Sequence, residues 1–519
     1  MSAIGLDRQV LERARLSRDS RFDGKFFIAV TTTGIYCRPV CPVASPKANH
    51  IRYYGTAAAA AEAGFRPCLR CRPEAAPGTP AWLGTSVVVR RALRLIEDGL
   101  LDQASVPALA ARVGIGARQL HRLFVRHVGA SPIAVAQTRR LHFAKRLLDE
   151  TDLSVIEIAS ASGFGSLRRF HHAFRQAYRR TPGELRRGSR RGRAPTPEDA
   201  LVLRLAFRPP YDWGQVSGFL ATRAVPGVER VDARGYARTV LTASGPASVC
   251  LRAVEAKNVL ELQVRGAAPA SLFSLTSAAR RAFDLAADPG SIAQAFEADP
   301  LLGPLVRRRP GLRIPGVWDP FECAVRAVLG QQVSVAAART LAARLVARAG
   351  RPLAQGSDGL TYLFPDPEAL AAADLEGMGL TGARVAALRL LARAVAEGRV
   401  NFTAPVEEVT ASLAALPGFG DWTAQYVALR AVGEPDAFPA GDIVLRRAAG
   451  GSLPLTSRAL ELRAEAWRPW RGYAALHLWS AAADSASASR SGGRGAGPLA
   501  EGDGSSHAWP EGDDRGYRA

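Results

Sequence analysis

The chain has 519 residues, 47% of them hydrophobic and 22% charged, and a formal net charge of +21. That length exceeds what one hydrophobic core serves and calls for three or four domains. No run of about 18 apolar residues and no apolar N-terminal segment occurs, so neither a membrane span nor a secretory signal is expected. The basic excess points to a polyanionic partner, and a bacterial cytoplasm is the expected compartment.

Residues 1–80 carry four of the six cysteines, spaced Cys37-x3-Cys41 and Cys68-x2-Cys71. Thiolates are soft donors, and two closely spaced pairs can close a tetrahedral site around one zinc ion. Nothing marks the chain as secreted, so disulfides are not expected. Arg38 and Lys47 flank the first pair, and Arg66, Arg70 and Arg72 the second, which suits a surface that meets nucleic acid. On these residues alone the metal is either scaffold or part of a reagent.

The run from Phe26 to Pro73, FFIAVTTTGIYCRPVCPVASPKANHIRYYGTAAAAAEAGFRPCLRCRP, resembles the methyl-acceptor zinc module of Ada-type adaptive-response regulators. The resemblance implies that Cys37 takes a methyl group irreversibly from a DNA methylphosphotriester. Val40 stands where that family usually has Ser. Zinc keeps a sulfur deprotonated at neutral pH, and the thiolate is the nucleophilic form of cysteine. One Zn²⁺ with four thiolates carries a charge of about −2, and a methylated site about −1, so the spent site repels DNA phosphates less.

PEAAPGTP, near Pro80, reads as a linker. From 84 to 188 apolar residues recur at helical spacing. ALAARVGIG leads into RQLHRLFVRHVG, and VIEIASASGFG leads into SLRRFHHAFRQAYRRTP; each is a helix, a Gly-containing turn and a second helix rich in Arg and His. The pair resembles the AraC-type DNA-binding domain, in which one long helix joins two helix-turn-helix units. GASP at 129–132 and RRTP at 179–182 sit at equivalent places. The resemblance implies a first reading helix over Ala117–His127 that exposes Arg118, Gln119 and Arg122. It implies a second from about Ser166 that exposes Leu167, Arg168 and His171. Arg suits guanine and Gln suits adenine, whereas the plainer role for each is a phosphate contact or a solvated face. Gly116 replaces a Ser-like cap, and Arg179 replaces a helix-ending Gly. Double-stranded DNA is the expected partner, with RNA polymerase a candidate second one. Ten arginines and one acid, Glu184, lie between Arg168 and Arg193. Residues 189–200 read as a basic linker that adds nonspecific phosphate affinity.

From 201 to 312 the pattern turns to period two, as in an antiparallel sheet, with a helix expected over 274–287. From 313 to 484 it returns to helices with short connections. Cys250 and Cys323 read as small buried hydrophobes, and 485–519 as a disordered tail.

LPGFGDWTAQYVALRA, 416–431, places Gly418 and Gly420 in a tight turn just before a helix, where backbone N–H groups can hold a phosphate. An acid, Asp442, follows in AFPAGDIVLRR. With PPYDWGQVSGFLATRAVPGVE, RPGLRIPGVWDPFECAVRAVLGQQVSVAAA and WRPWRGYAALHLW, these segments resemble the helix-hairpin-helix base-excision glycosylases of the 3-methyladenine glycosylase II branch, over about Leu203–Trp479. That resemblance puts the catalytic carboxylate on Asp442 and the pocket wall on Trp479, supported by Trp422 and Tyr426. Asp442 also suits a helix cap, and Trp422 and Tyr426 suit plain core. A carboxylate stabilises the cation that forms on the sugar of a flipped nucleotide, and aromatic faces attract bases already cationic from alkylation. Gln332, in GQQVS, stands where the branch has an apolar wedge and can fill the gap left by the extruded base.

Strand-cutting relatives place a Schiff-base lysine where this chain has Trp422, so a monofunctional hydrolase is expected. No cysteine follows Cys323, so no iron–sulfur cluster, and no cofactor, is expected at this second site. The PCHR motif of an O6-alkylguanine transferase is absent.

The expected fold is multidomain and mainly α with α+β parts: a small four-cysteine zinc module, two helix-turn-helix units, an antiparallel-sheet subdomain and a helix-hairpin-helix bundle. The expected function is a fused alkylation-damage regulator and glycosylase for purines such as 3-methyladenine. The rival is a DNA-binding transcription regulator with structural zinc and an inactive glycosylase half.

Overall fold

A computed structural model describes residues 7–77, 87–189, 200–451 and 453–492. Most of the two expected linkers, and the tail beyond 492, lie outside the described residues. The chain divides into two compact units, Met1–Pro209 with Thr242–Arg280 and Leu285–Asp288, and Pro210–Leu241 with Arg281–Asp284 and Pro289–Ala519.

The first unit begins with helix Arg8–Leu16, capped by Asp7. A four-stranded sheet follows, in the order Ile51–Tyr54, Phe27–Val30, Ile35–Cys37, Arg66–Pro67. Alternation sends Phe26 and Ile28 to one core, with Leu11 and Ile51, and Phe27 and Ala29 to another, with Tyr36 and Ala60. Pro73–Ala75 is a 3-10 turn with Glu74 buried, so the linker expected there begins later.

Helices Val106–Arg112 and Ala117–Val128 form one helix-turn-helix; Val155–Ala161 and Leu167–Tyr178 form the other. The 19-residue helix Pro132–Glu150 joins them. Ser105, Ser131, Ser154 and Ser166 cap four of these helices through their hydroxyls. Strands Leu201–Ala206, Val259–Arg265 and Gly245–Val254 pair antiparallel, with Leu203, Leu262 and Leu251 in register and fully buried. Cys250 is half-buried there, unlike the buried Cys323 of the second unit. The helix expected to reach 287 spans Leu272–Ala282.

The second unit packs helices Pro320–Leu329, Val335–Ala349, Gly382–Ala396, Val406–Ala414 and Asp421–Val427 on one apolar core that includes Val328, Leu345, Leu391, Leu413 and Val427. Helix Trp213–Arg223 and hairpin Glu229–Asp232/Gly235–Thr242 belong largely to it. Strands Arg351–Ser357 and Leu360–Leu363 form a hairpin where the sequence reads as helices with short connections. Helix Arg471–Gly492 runs into the segment expected to be disordered.

Candidate functional site

In the first unit, strand Ile35–Cys37 delivers Cys37, the turn after it Cys41, and strand Arg66–Pro67 leads to Cys68 and Cys71. The four Sγ atoms lie within 4.8 Å of one another. Zn–S bonds of about 2.3 Å would set tetrahedral S···S edges of about 3.8 Å, so the set fits one zinc ion. Cys68 is pulled down chiefly by hydrogen bonding with Cys37; Cys71 is pushed up chiefly through Cys37, and Cys37 chiefly through Cys41. Four sulfurs this crowded cannot all ionise unaided, and a divalent cation relieves that conflict.

The Arg38 backbone N–H donates to Cys71 Sγ at 3.4 Å, and its guanidinium binds Cys71 O at 3.0 Å and the Asp23 carboxylate. Arg72 pairs with Asp149 at 2.8 Å. Two of the five flanking cations are thus tied to internal acids, while Lys47 and Arg70 are exposed. Next to Cys37, Tyr36 Oη lies 2.8 Å from Nε2 of His142 on the long joining helix. Burial pushes His142 down to about 4.

The reading helices match the expected spans within a residue. Arg118, Gln119, Arg122, Arg168 and His171 are all exposed. Gly116 caps its helix without a side-chain bond, and Arg179 ends the second reading helix in the left-handed region at φ 55°, where Gly129 ends the first at 75°.

A second site lies wholly within the second unit, as a cavity of about 350 Å³. Trp422 and Tyr426 stack at 5.2 Å on helix Asp421–Val427, and with Trp479 and Asp442 they line it. Asp442 caps helix Ile443–Gly450: its Oδ1 accepts from the N–H groups of Val444 at 2.9 Å and Leu445 at 3.0 Å. The indoles of Trp422, at 3.0 Å to Oδ2, and Trp479, at 3.3 Å to Oδ1, donate as well. Four N–H donors therefore fix a carboxylate in an aromatic cavity, and capping and facing the cavity are compatible roles.

Phe219, Phe283, Trp318, Arg223 and Arg430 also line the cavity, and sequence reasoning did not single them out. Arg430 lies 4.5 Å from the Phe219 ring centroid, donates to Tyr426 Oη at 2.6 Å, and binds Pro315 O at 2.7 Å. Burial lowers Arg223 to about 10, so it stays cationic at neutral pH. The one available signal was the spacing of Phe219 and Arg223, which share a face of helix Trp213–Arg223.

Gly418 adopts φ 88°, and a Cβ there would sit 3.1 Å from Ala387 Cβ; Gly420 caps the helix that follows. Gln331 Nε2 donates to Gly418 O at 3.0 Å and Thr423 Oγ1 at 3.2 Å, while Gln332 beside it is exposed at φ 55°. Among the described residues no helix is long and apolar enough to cross a membrane.

A cysteine cluster, paired helix-turn-helix units and a hairpin-flanked aromatic cavity define a multidomain DNA-binding protein with a metal-binding module. The sequence matches the metal binding domain of Ada over 11–74, a helix-turn-helix domain over 109–188, the AlkA N-terminal domain over 202–319 and the HhH-GPD superfamily of base excision DNA repair proteins over 325–471. It is 44% identical over 475 residues to a probable bifunctional transcriptional activator/DNA repair enzyme AlkA of Mycobacterium tuberculosis, covering 90% of this chain and 95% of that one. It is 39% identical to DNA-3-methyladenine glycosylase 2 of Escherichia coli, over 53% of this chain and 95% of that one. Against the bifunctional transcriptional activator/DNA repair enzyme Ada of Escherichia coli it is 33% identical, over 33% and 47%. The chain belongs to the AlkA family of bifunctional transcriptional activator/DNA repair proteins.

Proposed function

We propose that the chain couples a methyl-accepting transcription regulator to a monofunctional DNA glycosylase. The carrying observation is Asp442, a carboxylate held by four N–H donors in an aromatic cavity large enough for a purine. Duplex DNA gripped at the Gly418–Gly420 turn would release one nucleotide into that cavity. As the N-glycosidic bond of an alkylated purine such as 3-methyladenine breaks, Asp442 stabilises the positive charge on the sugar. Water then forms the new C1′–O bond, and the base leaves with the bonding electrons. Trp422 stands where an amine would be needed to cut the strand, which supports hydrolysis alone.

In the first unit, Cys41, Cys68, Cys71 and Cys37 would hold one Zn²⁺, which supplies charge that keeps the sulfurs ionised. Cys37 Sγ attacks the methyl carbon of a phosphotriester; the S–C bond forms, the C–O bond breaks, and a phosphodiester anion leaves. Arg118, Gln119, Arg122, Arg168 and His171 would then meet promoter DNA, with RNA polymerase recruited there.

Methylated duplex should lose 3-methyladenine to the purified protein, and Asp442→Asn should slow release at least about 100-fold, the scale for a lost electrostatic stabiliser. Unchanged release by that variant overturns the role of Asp442, and no release by the unaltered protein leaves a DNA-binding regulator. One labelled methyl per chain should appear on Cys37 and vanish in Cys37→Ala; an unlabelled Cys37 peptide reduces the metal to scaffold.

A further inference from the structure

Contacts lead stepwise along the cavity wall from Asp442 to a pair of arginines. Trp422 donates to Asp442 and stacks on Tyr426, whose Oη accepts from Arg430. Arg430 and Arg223 then lie 4.5 and 4.0 Å from the centroid of the Phe219 ring. All of these side chains line the cavity. The acids that line it are already engaged. Glu322 pairs with Arg238 at 2.7 Å and Glu229 with Arg326 at 2.8 Å. Asp319 caps helix Pro320–Leu329, and four N–H donors hold Asp442. Among the described residues, neither Arg223 nor Arg430 pairs with an acid. Arg430 spends its donors on Pro315 O, Gly316 O and Tyr426 Oη. Arg223 bonds within the described residues only through Nη1, to Thr222 Oγ1 at 3.0 Å and Phe219 O at 3.4 Å. Its Nε and Nη2 keep their hydrogens for a ligand. A guanidinium half withdrawn from water and lacking a counter-ion gains from an anion brought to it.

We propose that this cavity also accepts purines alkylated with an acidic arm, such as 7-carboxymethylguanine, whose carboxylate binds Arg223. This rests on the base-excision reading above and extends it to a second class of lesion. A cavity of about 350 Å³ falls in the range that holds drug-sized ligands, so a purine with a single methyl group does not fill it. The ring of such a nucleotide is cationic, which suits aromatic faces but adds a like charge near two unpaired guanidiniums. A carboxymethyl arm reverses that conflict. The nucleotide becomes a zwitterion: the cationic ring lies against Trp422 and Trp479, and the carboxylate offers two oxygens to the fork of Nε and Nη2. The pairing forms only once the nucleotide has left the stack, so it favours the flipped state over the intact duplex. The bond broken is the same N-glycosidic bond. Water supplies the new C1′–O bond, and the base leaves with the bonding electrons.

The test compares duplexes carrying 7-carboxymethylguanine with duplexes carrying 7-carbamoylmethylguanine, an arm of the same shape without the charge. Single-turnover release by the full-length protein is divided by the spontaneous loss from each duplex. The corrected rate should be about 10- to 100-fold higher for the carboxylate, the factor expected of a charge-assisted pair. In Arg223→Gln that ratio should fall to about 1, and Arg223→Lys, which keeps the charge, should recover part of it. Equal corrected rates in the wild-type protein, or a ratio that survives in Arg223→Gln, overturn the proposal. Calorimetric titration with the two free bases should show the same ratios in Kd. If 7-methylguanine is not released either, the excision reading fails, while the Kd ratio still decides whether Arg223 holds the acidic arm.

Discussion

Asp284 is a carboxyl whose surroundings decide its charge. Burial pushes it up to about 6, against the opposing influence of Arg313 and of hydrogen bonds from Tyr473 Oη at 2.6 Å and Ile314 N–H at 3.3 Å. It follows Phe283 of the cavity wall, at φ 48°. Its folded form holds a proton more tightly than the unfolded chain does, so its stabilising contribution is complete below about pH 4 and is lost as pH rises through about 6. Asp284→Asn should therefore gain stability relative to wild type, by about 1–3 kcal/mol, between pH 4 and pH 7.5 in urea unfolding. A constant difference across that range would show that the group titrates normally. The contrast with Asp442 also shows which site residues a sequence reveals. Asp442 follows the hairpin glycines closely in sequence, at the head of the helix it caps, and the four cysteines announce themselves by spacing. Phe283, Phe219, Trp318 and Arg430 are distributed over distant segments, each bland in its own window; only packing brings them to one cavity.

At the scale of elements, the two reading helices form an internal comparison. Both end in a left-handed residue, Gly129 in one and Arg179 in the other, and each donates its N–H back into the last turn. A side chain in that conformation costs about 1 kcal/mol, which Gly avoids. Arg179→Gly should therefore stabilise the helix by about 0.5–1 kcal/mol in thermal unfolding and, by deleting an exposed cation, weaken DNA binding at low salt. A loss of stability would mean that the Arg179 side chain has an unrecognised internal partner. Helices of this kind are legible from a 3.6-residue apolar stripe even where, as at Gly116, the cap has no side chain: the resemblance implies Ala117–His127, and the helix spans Ala117–Val128. The hairpin at 351–363 is not legible in this way. RPLAQGS lacks alternation, and its ladder shifts register between Pro352 and Ser357. The helix expected over 274–287 ends at Ala282 instead, because the mostly apolar FDLAA carries no Gly or Pro to signal the reversal that Asp284 makes at φ 48°.

For the whole molecule, the net charge of +21 is plain from composition, but how much of it faces DNA is not. Lys145, Arg238 and Arg326 spend their charge on Asp149, Glu322 and Glu229 inside the protein. Lys25, only a dozen residues before Cys37, does so too. Its Nζ lies 2.7 Å from Asp288, and both side chains are buried. The pair joins the cysteine module to the segment Leu285–Asp288 within one compact unit, across about half the length of the chain. Burial pulls Lys25 down while Asp288 pushes it back up, the balance expected when desolvation and pairing compete. Removing one partner should cost far more than removing both. Asp288→Asn should destabilise the first unit by about 3 kcal/mol, whereas Lys25→Met combined with Asp288→Leu should recover most of that loss. Unfolding of the three proteins, followed with zinc present so that the cysteine module stays loaded, measures the difference. If the single variant costs less than about 1 kcal/mol, Lys25 reaches solvent or sheds its proton freely, and the pair does not hold the module in place.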